Sequence, residues 1–161
     1  LNEGFASWMA TKTVEHFLAY VKSKQFDGTQ FHRVIPGFMI QAGGYTADFK
    51  EKPTPLPSIP HEGETSRKAG LSNVPGTLSM ARTNDPQSAN AQFFINVADN
   101  SRLNFREPSP QGYGYTVFGK VIDGMDVVNK IAATPTGSGG SFQTDVPKTM
   151  VLIKSATLVS P

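Results

Sequence analysis

The chain has 161 residues with 38% hydrophobic and 10% aromatic residues, enough for one domain with a real core, so disorder is excluded as the default. Glycine (15) and proline (12) together make up about one residue in six, which is too many for a helix bundle and too few for a collagenous or low-complexity chain. A net charge of +2 from scattered basic residues gives no reason to invoke nucleic acid or an anionic membrane, and no apolar run approaches the roughly 20 residues of a membrane span. The absence of cysteine excludes disulfides, thiolate catalysis, zinc ribbons and Fe–S clusters.

In chain order, the first clear element is residues 13–24. Val14, Phe17, Leu18 and Val21 fall at i, i+3, i+4, i+7, the period of an amphipathic helix that packs on a sheet. Asp27-Gly28 turns the chain into a strand over residues 30–35, and Pro36-Gly37 turns it again into a strand over 38–43. Residues 48–68 hold four prolines and many charges and read as a long surface excursion without regular structure. Two short strands follow at 76–82 and 92–97, separated by the polar stretch 83–90. A loop over 99–114 leads to a strand at 115–122, the turn Asp123-Gly124, and a second short helix over 125–133, where Met125, Val128 and Ile131 are helically spaced. Residues 134–146 read as a Gly/Ser-rich loop and 151–159 as a closing strand. Short strands at regular spacing with two lone helices point to an all-β barrel or sandwich with helical caps.

The informative block is Phe31-His32-Arg33-Val34-Ile35-Pro36-Gly37-Phe38-Met39-Ile40-Gln41-Ala42-Gly43-Gly44. Alternation along a strand sends Phe31, Arg33 and Ile35 to one face and His32 and Val34 to the other. In the following strand Met39 and Gln41 share a face, and the Pro-Gly turn can bring Arg33 beside them. One cation, one amide and one soft apolar side chain then share a surface. His16, His32 and His61 show no metal-ligand spacing, and His32 reads as structural. Gly43-Gly44 and Gly139-Gly140 read as turns rather than phosphate cradles, because neither opens a helix.

This block resembles the signature of the cyclophilin family of peptidyl-prolyl cis-trans isomerases. Three further segments agree with it in order: Gly76-Thr77-Leu78-Ser79-Met80-Ala81-Arg82, Ser88-Ala89-Asn90-Ala91-Gln92-Phe93-Phe94-Ile95, and Val117-Phe118-Gly119-Lys120-Val121 with Gly124-Met125. The wording Met80-Ala81-Arg82-Thr83 and Gln111-Gly112-Tyr113-Gly114-Tyr115 is similar to the bacterial branch. The resemblance implies a closed antiparallel β-barrel, nominally eight-stranded, capped by two α-helices, in one domain over residues 1–161. It implies isomerisation of X-Pro bonds in protein folding, acting without a cofactor or metal on proline-containing peptides and on unfolded or folding proteins. Two rivals share the fold: a catalytically silent proline-peptide binding module, and a holdase chaperone. Position by position, Arg33 matches the catalytic arginine, and Phe38, Met39, Phe94 and Leu103 match the pocket for the proline ring. Gln41 and Gln92 match amides that bond the substrate backbone or orient the arginine, and Ala81 and Arg82 match the strand edge along which the peptide lies. Tyr115 stands where many members place a pocket histidine and Arg102 where some place a tryptophan, which implies weak binding of the cyclic peptide cyclosporin.

Two expectations concern the ends of the chain and its compartment. The family barrel opens with two paired strands, whereas here Leu1 to Glu3 read as the tail of the second, and Ala6-Ser7-Trp8-Met9-Ala10-Thr11 replaces a short Ala-Pro link to the helix. The expectation is about 15–20 further residues upstream, forming the first strand, or an edge paired with another chain. Likeness to the short bacterial cytosolic branch implies the cytoplasm, with the periplasm as the alternative if a signal peptide precedes residue 1.

Overall fold

A computed structural model describes residues 2–159 apart from 6–9, with the backbone alone at 2–5. Residues 6–9 of the segment around Trp8 thus lie outside the described residues. The first strand, β1 (Asn2–Phe5), pairs antiparallel with the late strand β6 (Val117–Asp123), with Phe5 opposite Gly119.

Helix α1 spans Thr11–Lys22, two residues earlier at both ends than its apolar period predicts. Its N-cap residue, Ala10, has no side chain able to cap, and Glu62 from a distant loop does so instead. The Glu62 carboxylate accepts from the Thr13 N–H and the Thr13 hydroxyl, both at 2.6 Å. This satisfies donors that a helix start leaves open and sets the negative charge where the helix dipole favours it. The apolar stripe Val14, Phe17 and Val21 is buried, and the Phe17 ring meets Phe26, Phe93 and Phe118 at 4.8, 5.4 and 5.0 Å.

Four further strands complete a six-stranded antiparallel sheet in the order β1-β6-β4-β5-β3-β2: β2 (Arg33–Ile35), β3 (Met39–Ala42), β4 (Thr77–Met80) and β5 (Phe93–Asn96). The register sorts side chains into two populations. Val34, Ile40, Ile95 and Leu78 face one another across four strands and are all within the hydrophobic core. The next row, Arg33, Gln41, Phe94, Ser79 and Val117, crosses five strands and lies on the other face, outside that core cluster. Phe31 departs from the alternation expected of it. Regular pairing begins only at Arg33, and Phe31 turns into the core with Val34.

Three expectations need correction. Residues 48–68 are not wholly irregular: α2 (Gly63–Lys68) closes the stretch, steadied by a 2.9 Å Lys68–Glu64 pair and by Ser66, whose buried hydroxyl donates to the Val117 carbonyl. No apolar period announces it, because Ser66 and Gly63 are its buried residues. The expected loop over 134–146 is a hairpin of β7 (Thr136–Gly139) and β8 (Phe142–Pro147), anchored where the Phe142 ring meets His32 and Tyr45 at 5.4 and 5.0 Å. The closing strand expected over 151–159 is reduced to one bridge, Leu152 opposite Gln30. Phe31 donates to the Val151 carbonyl and Ile153 to the Thr29 carbonyl, and residues 154–159 join no strand ladder among the described residues.

Helix α3 (Met125–Ala132) starts from Gly124 and buries Val128 and Ile131. Between α1, α3, Ile122 at the end of β6, and the 151–159 segment lies an apolar groove of about 910 Å³, bordered by Phe17, Val127 and Leu158. The described elements are mostly β, with α1 and α3 as the two principal helices.

Candidate active site

The site grows from the turn between β2 and β3. Pro36 precedes Gly37, whose φ of 71° lies in the left-handed region, and Phe38 donates to the Ile35 carbonyl at 3.1 Å. Proline before a positive-φ glycine is the signature of a tight type II reversal. It sets Arg33 opposite Gln41 and Ile35 opposite Met39.

From that register two chains of contacts follow. The Arg33 Nη1 donates to Gln41 Oε1 at 3.4 Å, and Gln41 Nε2 donates to Gln92 Oε1 at 2.9 Å. The exposed guanidinium is thus steered by the Gln41 amide, itself held by Gln92, and has no carboxylate partner among the described residues. In the second chain, the Phe94 ring meets Tyr115 edge-on at 5.5 Å, and the Arg82 guanidinium lies 4.9 Å from the centre of the Tyr115 ring. Phe94 and Met39 are buried on the Arg33 face, forming apolar floor beside the cation. Ala81 donates its N–H to the Gln92 carbonyl at 3.0 Å, which ties the 81–82 edge to the amide chain.

The opposite rim is the 3-10 turn Ser101–Leu103. Leu103 accepts from the Tyr115 N–H at 2.9 Å, and Arg102 stacks over the Phe38 ring at 5.0 Å. The structure brings the expected residues together in separate groups. Arg33, Gln41 and Gln92 join through hydrogen bonds, while Phe94, Tyr115 and Arg82, and separately Phe38 and Arg102, join through rings. Met39 shares the Gln41 face of β3 by strand register, and Leu103 is tied to Tyr115 through its backbone carbonyl.

The supporting polar network escaped sequence reasoning. Asn100 Nδ2 donates to the Phe38 carbonyl at 2.9 Å and to Asn96 Oδ1 at 2.8 Å. Asn73 Oδ1 accepts from Asn96 and from the Ser79 hydroxyl, at 3.1 and 2.6 Å, and Asn73 Nδ2 donates to Asn104 Oδ1 at 2.9 Å. These four buried asparagines pin the rim loop to β4 and β5. Of these four amides only Asn100 Oδ1 has no partner among the described residues, and the bonds of the rest fix the geometry because other arrangements leave more desolvated groups unpaired. Only the asparagine-rich wording of the loop hinted at them.

His61 was equally silent in the sequence. Its Nε2 donates to the Gly114 carbonyl at 3.0 Å and its Nδ1 accepts from the Gly63 N–H at 2.9 Å. Arg82 Nε donates to that same Gly114 carbonyl at 2.9 Å. A Cβ at Gly114 (φ 60°) would stand 2.3 Å from the Leu103 carbonyl oxygen, so glycine is required where this strand entry passes the rim. Burial, with the Arg82 charge adding to it, holds the His61 imidazole below its usual range.

The arrangement offers a fixed guanidinium beside an apolar floor, with backbone edges for an extended peptide. The 910 Å³ groove shares no residue with it, so chemistry rather than concavity marks the site. Comparison with known proteins agrees. Residues 4–158 match the family described as cyclophilin type peptidyl-prolyl cis-trans isomerase/CLD. A peptidyl-prolyl cis-trans isomerase of Streptomyces antibioticus is 53% identical over 150 residues, 93% of this chain and 87% of that protein. Peptidyl-prolyl cis-trans isomerase B of Escherichia coli K12 is 52% identical over 149 residues, 92% of this chain and 87% of that protein. A crystal structure of a Cryptosporidium parvum cyclophilin-type isomerase, in the presence of the dipeptide Ala-Pro, superposes with a TM-score of 0.72 at 27% identity, covering 99% of this chain and 92% of that one. The chain belongs to the cyclophilin-type peptidyl-prolyl cis-trans isomerases, enzymes that rotate X-Pro peptide bonds and so assist protein folding.

Proposed function

We propose that Arg33 is the catalytic residue of this isomerase and that Phe38, Met39, Phe94 and Leu103 hold the substrate's proline ring. Rotation about an X-Pro bond breaks amide resonance, at a barrier near 20 kcal/mol. In the planar ground state the prolyl nitrogen has no lone pair to offer. In the twisted transition state it regains one and can accept a hydrogen bond. A guanidinium aimed at that nitrogen binds the transition state better than the substrate, which is the condition for catalysis. Each 1.36 kcal/mol of that difference is worth about a factor of ten. Arginine suits the role because it stays charged at any working pH and presents planar donors. No nucleophile or proton transfer enters the step.

The single observation behind this reading is the exposed Arg33 guanidinium, paired with no acid among the described residues and steered by the Gln41–Gln92 amide chain beside buried Phe94 and Met39. In this reading Gln41 and Gln92 also bond the substrate backbone, the peptide runs along Ala81 and Arg82, and Tyr115 walls the pocket. A protease-coupled assay on an X-Pro tetrapeptide tests it, since Arg33→Ala should lose most of its turnover. A fully active variant would return the cleft to a binding role.

Three finer statements belong to the same proposal. The sheet closes into a nominally eight-stranded barrel, for which the bonds between residues 29–31 and 151–153 at the β2 end are the support. Substrates are proline-containing segments of unfolded or folding proteins, and cyclosporin binds weakly. The cytoplasm is the proposed place of action, from likeness to the short bacterial cytosolic branch, and cell fractionation decides between it and the periplasm.

A further inference from the structure

Isomerisation of a neutral peptide uses one cation, yet three guanidinium groups border this cleft. Arg33 is held by the Gln41 amide, Arg82 by the Tyr115 ring and the Gly114 and Thr83 carbonyls, and Arg102 by the Phe38 ring. Every one of these partners is neutral. The ion pairs among the described residues, Lys50–Asp48 and Lys68–Glu64, involve none of the three.

The carboxylates of the surrounding loops keep their charge but are hydrogen-bonded within the chain elsewhere rather than paired with these arginines. Asp85 accepts from the Gln87 N–H, Asp99 from the Ser101 N–H and hydroxyl, Glu107 from the Ser109 hydroxyl, and Glu62 caps α1. The chain as a whole carries only +2, so three arginines around one cleft, none in an ion pair among the described residues, are a local concentration. Stacking also matters. A guanidinium lying on a ring keeps its in-plane N–H fork open, and that fork matches a carboxylate in two-point geometry. Arg102 makes no hydrogen bond among the described residues, so its whole fork is presented at the rim. Arg82 spends Nε and Nη1 on carbonyls and retains Nη2.

We infer that this isomerase prefers X-Pro segments flanked by aspartate or glutamate, with Arg102 and Arg82 as the residues that read the charge. The inference rests on the reading of the Arg33 face as the substrate cleft. An exposed pair of opposite charges about 4 Å apart is worth about 1 kcal/mol in water, which is about fivefold in kcat/KM for each pair formed. The effect is electrostatic, so salt must weaken it.

The test uses three peptides that share one Ala-Pro centre and carry Glu, Ala or Lys on both sides of it, with exchange between isomers followed by NMR. At about 20 mM ionic strength the Glu-flanked peptide should exceed the Lys-flanked one in kcat/KM by about fivefold or more, and about 0.5 M salt should shrink the ratio below about twofold. Arg102→Glu, at an exposed rim position, should bring the ratio to one or below, with circular dichroism reporting an intact fold. Equal rates for the two charged peptides at low salt, or a ratio unmoved by Arg102→Glu, overturns the inference. If neutral and charged peptides alike proceed at wild-type rates with Arg33→Ala, the cleft itself has been misassigned. Equal rates in an enzyme that Arg33→Ala disables overturn the charge preference alone.

Discussion

At Arg33 the proposed chemistry depends on shape as much as on charge. Lysine at that position keeps the cation but places a compact ammonium on a flexible stem, without the planar donors that Gln41 steers. Arg33→Lys should therefore recover little of the activity that Arg33→Ala loses, a loss of about 100-fold or more if the arginine acts as an aimed donor to the transition state. Steady-state rates for the two variants, side by side, check this. Lysine within about threefold of wild type would mean that charge alone suffices. Arg102 carries a separate expectation. Its guanidinium over Phe38 replaces the indole ring and N–H that the family resemblance associates with cyclosporin, and it offers neither the same apolar area nor the same donor geometry. Cyclosporin should inhibit weakly, and Arg102→Trp should tighten inhibition; a titration of residual activity distinguishes this from tight inhibition of the unaltered enzyme.

At the scale of the element, α1 and β2 each depend on a partner far away in sequence. Glu62→Ala should cost about 1–2 kcal/mol by removing the cap of α1, read as a lowered urea midpoint with an unchanged slope. A change under about 0.3 kcal/mol would show that the cap is idle. Just before β2, His32 is buried between Tyr45 and Phe142, with ring centres at 4.7 and 5.4 Å, and its Nδ1 has no hydrogen-bond partner among the described residues. Burial first, then the Arg33 charge, push its pKa down to about 4 from 6.5, against the raising effect of the Gln30 carbonyl. The unfolded chain therefore binds a proton that the folded one refuses as pH falls below 6.5. Stability should be full above about pH 6.5 and fall by about 2–3 kcal/mol toward pH 4, with His61 acting in the same direction. His32→Phe keeps a ring in the aromatic cluster and should flatten that slope in urea melts at pH 7 and pH 4.5; an unchanged slope would rule His32 out as its source. These elements also show what is legible in a sequence. The alternation around Pro36-Gly37 exposed Arg33, Met39 and Gln41, because strand period and turn chemistry are local. The helix α2 and the β7–β8 hairpin were hidden because long-range contacts hold them: Ser66 on Val117, and Phe142 against His32 and Tyr45. The asparagine network was hidden for the same reason, since Asn73 and Asn96 meet only after β4 and β5 pair.

Across the whole molecule, one sheet separates stability from chemistry. The row Val34–Ile40–Ile95–Leu78 is buried in the core beneath α1 and α3, while the adjacent row Arg33–Gln41–Phe94–Ser79–Val117 lies on the other face. If the sheet closes at its β2 end, the amides of Phe31 and Ile153, which bond across residues 29–31 and 151–153, should exchange nearly as slowly as those of β5. Fast exchange there would mean an open edge. The central claim is that the face bearing Arg33 performs the isomerisation and the face bearing Val34 holds the fold. Arg33 and Val34 are neighbours on β2, so substituting each by alanine tests both halves with one pair of measurements, thermal midpoint and kcat/KM per folded molecule. Arg33→Ala should lower kcat/KM by about 100-fold or more with a midpoint within about 2 °C of wild type. Val34→Ala, at a fully buried position, should cost about 1–3 kcal/mol, lowering the midpoint by several degrees, while kcat/KM stays within about twofold. An Arg33→Ala enzyme that turns over X-Pro peptides at near-wild-type rates would contradict the account.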